Sequence, residues 1–132
     1  MKEQSLKEAF SLADRGLVLI ATVDDEHIPH IAAAGDMSLV EDGRIALTDW
    51  FCPGTISNAR PGRSVSVVAW APQDDDGRQM IGKVNRLEDV AMLSGHAPER
   101  ERDGLPQVER RLVVEVERTL RFRKAPHSDQ EE

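Results

Sequence analysis

Apolar positions change period at Leu17, and the change divides the chain into a helical opening and a β-rich remainder. Ahead of it, Leu6, Ala9, Phe10 and Ala13 recur at i, i+3, i+4 and i+7, which predicts an amphipathic helix from Ser5 to Arg15. Ser5 and Glu8 have capping-box spacing, and Gly16 offers a left-handed exit. Leu17 to Val23 is a compact β-branched run, predicted as a strand buried on both faces. Asp24 to Glu26 is a polar turn, and Pro29, which lacks an amide donor, leads into a second strand at Ile31 to Ala34. Met37 to Val40 and Arg44 to Thr48 flank Asp42-Gly43 and read as a hairpin. A short helical stretch, Thr55 to Arg60, ends at Pro61-Gly62. Ser64 to Trp70 alternates, and Gln73 to Gly77 turns the chain into a strand over Gln79 to Met92, where Gly82 marks a bulge or a close approach. Leu112, Val114, Val116, Leu120 and Phe122 outline a long last strand. Ser94 to Pro106, polar and proline-containing, is a connection, and residues 125–132 read as a disordered tail with nothing to bury.

These elements predict a mainly β domain over residues 1–124: one N-terminal helix, about six antiparallel strands and a short inserted helix. Hairpin connections with few residues to spare favour a closed or nearly closed barrel over an open sheet. The single Cys52 excludes an intramolecular disulfide and a cysteine metal cluster. With 17 basic and 24 acidic residues the net charge is −7, and aromatics are scarce, which argues against nucleic acid. The basic cluster from Arg118 to Lys124 reads as a solvated strand edge. No apolar run has the length of a bilayer span, and the charged opening lacks a signal-peptide core, so a cytoplasmic protein without membrane contact is expected.

Candidate chemistry is sparse. Ala32-Ala33-Ala34-Gly35 is an unusual strand, because small residues are depleted in sheets; either another backbone packs closely there or a flat ligand lies against it. A helix start presents unpaired amides to an anion, and Gly54, Thr55, Ser57 and Asn58 gather at one, although Thr55 taken alone reads as an ordinary N-cap. Trp50 either stacks on a ligand or closes a barrel end, and Cys52 is a small apolar residue or a reactive thiol. Asp74 to Asp76 lack the pattern of a calcium loop, and His27, His30 and His96 fall in polar turns or loops.

Taken in order, the opening helix, "GLVLIATVDDEHIPHI", "DGRIALTD", "GTISNARPGRSVSVVAW", the Gly82 strand and the long closing strand resemble the pyridoxamine 5′-phosphate oxidase-like family of FMN-binding split barrels, small bacterial FMN-binding proteins included. The likeness runs from about Leu6 to Phe122. It implies a six-stranded antiparallel split barrel, a homodimer with FMN at the subunit interface, and a flavin oxidoreductase acting on a small molecule or electron carrier. It also implies that Ala33, Ala34 and Gly35 line the flavin ring, that Thr48, Asp49 and Trp50 meet the cofactor at a strand end, and that Gly54, Thr55 and Asn58 form the phosphate side. Relatives often carry Lys or Arg at or just before this Thr; here Pro53 and Gly54 stand instead. Such a charge-assisted contact is worth roughly 1.5–3 kcal/mol, and Arg60, Arg63 and Lys83 are the cations that could replace it. No catalytic acid or base is assigned. The alternatives are a dimer that binds FMN, or another flat cofactor such as a deazaflavin or heme, without turnover, and a barrel that has lost its cofactor.

Overall fold

The computed structural model describes residues 2–41, 43–49, 51, 53–92, 108–126 and 129–132. Along the chain run α1 (Lys2–Asp14), β1 (Leu17–Val23), β2 (Pro29–Ala34), β3 (Asp36–Glu41), β4 (Arg44–Asp49), α2 (Pro53–Asn58), β5 (Ser64–Ala71), β6 (Asp76–Met92) and β7 (Val108–Arg121). All strand pairs are antiparallel, in the order β2-β1-β5-β6-β7-β4-β3. The two outermost strands, β2 and β3, are separated in sequence by Gly35 alone. The sheet therefore curls until its edges meet at a one-residue joint, which makes a split barrel. The strands number seven against the expected count of about six, with the runs read at Ile31–Ala34 and Met37–Val40 forming β2 and β3 on either side of Gly35.

Inside the barrel, Val18, Ile20, Ile45, Leu47, Val67 and Leu112 are buried with their neighbours from β5, β6 and β7. Each such side chain contributes roughly 1.5–3 kcal/mol by leaving water. Leu6, Ala9 and Leu12 carry α1 into this core, whereas Phe10, expected on the buried face, is 41% exposed. β1 also departs from expectation. Val18, Ile20 and Thr22 point inward while Leu17 and Val23 stay exposed, as in an antiparallel sheet covered on one face.

Local details depart from the sequence-based expectation in three more places. α1 begins at Lys2, so Ser5 lies inside the helix; its hydroxyl donates to Glu132 and Glu8 pairs with Arg78, which leaves no capping box. Gly16 is not in the left-handed region; a side chain there would drive into the backbone of Trp70, so glycine serves close packing. Residues 129–132, expected to be disordered, instead pair with the end of β7. The hairpin through Gly43 (φ 73°) and the bulge at Gly82 are both present. Ser94 to Pro106 lies outside the described residues.

Candidate functional site

The Gly35 joint organises the site. Asp36 pairs with Thr48 and Met37 with Leu47, so the end of β4 closes against the β2–β3 corner. A Cβ on Gly35 would sit 3.0 Å from the Thr48 carbonyl oxygen and 3.2 Å from the Asp49 carboxylate. Ala33 and Ala34 arrive at the same corner on β2, opposite Leu19 and Val18. Five of the expected residues, Ala33, Ala34, Gly35, Thr48 and Asp49, are thus brought together. On the α1 side of the corner opens a cavity of about 370 Å³, walled by Phe10, Ala13 and Leu17 and by Ala33 to Met37. Its walls mix apolar side chains, small and large, with polar surface that includes the carboxylates of Asp14 and Asp36, and hold no lysine or arginine. A flat apolar body suits this space better than a phosphate does.

The α2 residues form a second group. The helix starts at Pro53, whose fixed φ and missing amide suit a first helical position. Thr55 therefore falls within the helix instead of at its N-cap, and it is 1% exposed. Asn58 donates from Nδ2 to the Thr22 hydroxyl at 3.1 Å, which ties α2 to β1. Gly54 is exposed and has open space where a side chain would stand. Along β1, Thr22 is four residues from Val18, the partner of Ala34. At about 3.3 Å per residue the two groups are roughly 13 Å apart.

Of the three cations expected to stand in for the missing Lys or Arg, Arg60 and Arg63 are engaged, while Lys83 is exposed on β6 opposite Ser64. Arg60 Nη2 lies 3.0 Å from Asp25 Oδ1, and Arg63 donates to the same oxygen. The Arg63 hydrogen bond and charge, followed by the charge of Arg60, hold the Asp25 carboxyl below its ordinary range. Nothing in the spacing of Asp25, Arg60 and Arg63 foretold this cluster, because the fold alone brings the β1–β2 turn to the end of α2. Arg78 was missed for the same reason. Only 6% of its side chain is exposed, and it meets Glu8 at 2.6 Å, Asp76 at 2.8 Å and Glu132 at 2.8 Å. Asp74 pairs with Arg15 and Asp75 accepts the amides of Lys124 and Ala125, so the acidic turn is fully used within the chain. Trp50, Cys52 and His96 lie outside the described residues. Among the described residues there is no cluster of three or more His, Cys, Asp or Glu able to hold a metal, and no helix long and apolar enough to cross a membrane.

No protein-family model matches the chain. No curated protein matches it in sequence. Solved structures do match. HupZ of Group A Streptococcus superposes with a TM-score of 0.65 at 19% identity, over 92% of this chain and 97% of that one. A pyridoxamine 5′-phosphate oxidase-related, FMN binding protein of Nostoc punctiforme gives 0.58 at 10% identity, over 95% and 83%. HutZ of Vibrio cholerae, described as a heme storage protein, gives 0.54 at 15% identity, over 89% and 92%. At such identities the likeness is one of fold, and it agrees with the curled sheet and the Gly35 joint. The chain has the split-barrel fold of the pyridoxamine 5′-phosphate oxidase-like FMN-binding proteins.

Proposed function

We propose that the protein binds FMN with the isoalloxazine ring at the β2–β3–β4 corner, as a homodimeric flavin oxidoreductase acting on a small molecule or electron carrier. The observation that carries this reading is the convergence of Ala33, Ala34 and Gly35 with Thr48 and Asp49 beside a cavity of about 370 Å³ free of lysine and arginine. The small side chains of Ala33 and Ala34, with no side chain at Gly35, leave room for a ring face at the corner. Bound flavin supplies the redox chemistry; the chain's own part is to bind, orient and exclude water.

On the phosphate side, Gly54 and Thr55 contribute through the amides of the first turn of α2, while Asn58, at the helix end, braces α2 against β1. The Thr55 side chain is buried and the Asn58 amide is committed to Thr22. Arg60 and Arg63 are paired to Asp25, which leaves Lys83 as the remaining candidate cation for the phosphate. Flavin recognition then rests mainly on the ring. Dimerisation is supported by Ile28 and Ile31, 56% and 68% exposed at the start of the edge strand β2.

Fluorescence-quenching titrations of the purified protein with FMN, riboflavin and heme test this. Both flavins are expected to bind, with FMN favoured by less than about tenfold, the factor that about 1.4 kcal/mol of charge pairing would give. Failure of both flavins to bind, or saturation by heme with a Soret band in place of either, overturns the reading. Reduction of the bound flavin by a nicotinamide cofactor, followed by reoxidation with an added acceptor, separates an oxidoreductase from a carrier.

A further inference from the structure

Where β4 stops, the edge of β7 continues. β4 covers β7 from Arg110 to Glu115, and residues 129–132 then take up the same side. Asp129 donates its amide to the Arg121 carbonyl at 2.9 Å, Arg121 to Gln130 at 2.8 Å and Glu132 to Thr119 at 2.9 Å. Side chains alternate as on any strand. Glu131 meets Arg118 Nε at 3.0 Å. Glu132 enters a pocket in which the Ser5 hydroxyl donates at 2.6 Å and Arg121 Nε lies 3.2 Å away. Arg78 Nε is 2.8 Å from the same carboxylate, but its N–H does not aim at the oxygen, so that contact is ionic. Beside it lies a cavity of about 380 Å³, lined by Gln4, Ser5, Glu8 and Arg121 together with residues 130–132.

We propose that this edge is a receptor for an extended acidic peptide, which residues 129–132 occupy in cis and which a second acidic segment can occupy in their place. Three observations separate it from ordinary packing. First, the segment is exposed and brings no apolar side chain, so hydrogen bonds and charge alone hold it. Second, the receptor survives empty, because Arg78 keeps Glu8 and Asp76 as partners. Third, the chain before it is fixed independently. Phe122 donates to Gly77 and stacks edge-on against Trp70, and Asp75 accepts the amides of Lys124 and Ala125. Departure of the segment therefore need not unravel β7. Recognition follows strand addition: main-chain bonds supply affinity, and the alternating arginines select consecutive glutamates.

The test uses the full chain carrying Glu131→Gln and Glu132→Gln, labelled with nitrogen-15, and a capped tetrapeptide Asp-Gln-Glu-Glu. Saturable shifts are expected at Ser5 and from Thr119 to Arg121. Binding should be about tenfold or more weaker in the unsubstituted chain, whose own segment competes from a high effective concentration. A tetrapeptide with Gln at both Glu positions should bind about tenfold or more weakly than the acidic one, chiefly through the lost charge-assisted contacts of the half-buried Glu132 position, the exposed Glu131–Arg118 pair adding little. No saturable shift in a variant with a native spectrum, or equal binding of both peptides, overturns the proposal. Hydrogen exchange on the unsubstituted chain tests it independently of the variant's folding. The Arg121 and Glu132 amides should exchange at least about a hundredfold faster than those of Leu112 and Val114, as sub-global opening requires. Equal protection means that the segment leaves only on global unfolding, and the proposal fails.

Discussion

Gly35→Ala separates the folding role of the barrel joint from its role in the site. The added methyl would lie 3.0 Å from the Thr48 carbonyl oxygen and 3.2 Å from the Asp49 carboxylate, so one neighbour must give by a few tenths of an ångström. Thr48 cannot move, because its main chain pairs with Asp36 on one side and Arg111 on the other, so the Asp49 side chain takes up the displacement at the expense of its own contact. Crowding of this size costs about 1 kcal/mol, the low end for overpacking. Replacing glycine recovers roughly 0.5–1 kcal/mol by restricting the unfolded chain. Net stability should then change by less than about 1 kcal/mol. Affinity should not be spared, since the wall that shifts is the one proposed to meet the ring. A tenfold loss for FMN and riboflavin alike, about 1.4 kcal/mol, is expected. Urea unfolding followed by tryptophan fluorescence measures the first quantity and flavin quenching the second. A variant that keeps both its urea midpoint and its flavin affinity within twofold refutes the placement of the ring at this corner.

Gly82→Ala should be far more damaging to the fold, because the new Cβ would lie 2.8 Å from the Glu115 carbonyl carbon and 3.0 Å from Val116 Cα, main-chain atoms that cannot move aside; a loss of about 3 kcal/mol or more by urea denaturation is expected. Thr22→Val keeps the shape but removes the acceptor of the Asn58 amide, and about 1 kcal/mol of stability should go with it in the same assay. Ile31→Lys places a charge on the most exposed apolar position of β2, so sedimentation should show monomer at concentrations where the unsubstituted chain dimerises. Burial raises the Glu132 carboxyl, but the Ser5 hydrogen bond and the charges of Arg78 and Arg121 outweigh it and hold the group below its ordinary 4.5. A carboxyl depressed in the folded state adds stability above that ordinary value and loses it as pH falls through the lowered one. Acidification from pH 6 to pH 3 should therefore destabilise the unsubstituted chain more than Glu132→Gln, as measured by the change in urea midpoint.

Local pattern carried most of the architecture. Alternation located β1, β4, β5 and β7 to within a residue or two at most ends, and the Asp-Gly and Gln73–Gly77 signals marked real hairpins. The small-residue strand was legible as unusual, and the unusual feature proved to be the barrel joint. What failed was whatever depended on a partner distant in sequence. Periodicity placed Phe10 on the buried face of α1, but the register against β5 chose Leu12 instead. Ser5 and Glu8 had the spacing of a cap, yet the side chains they meet are Glu132 and Arg78, 127 and 70 residues away. Thr55 looked like a helix start because Pro53 is easily read as loop; proline is equally at home at a first helical position. The tail lacked apolar residues and so appeared to have no reason to order, but an acidic segment can be ordered by a strand edge furnished with arginines. Composition says little about that edge until the fold has exposed it.

Both candidate sites trace to the same incompleteness of the barrel. A closed barrel has no edges; here the sheet closes through a single glycine, and its strands are unequal in length. At Gly35 the two edges meet without pairing along their length, which leaves a corner of bare backbone and small side chains. At the other defect, β7 overruns β4, and its unpaired groups from Thr119 to Arg121 need partners. Unpaired backbone amides and carbonyls at such places must be met by water, a ligand or another segment. Chemistry then decides which. The Gly35 corner offers apolar walls and carboxylates, which suit a flat ring and repel anions. The β7 overhang offers Arg78, Arg118 and Arg121, which suit carboxylates and other oxyanions. α1 stands between them, with Phe10 and Ala13 facing the corner cavity and Ser5 and Glu8 the acidic segment, while Leu6, Ala9 and Leu12 anchor it in the core.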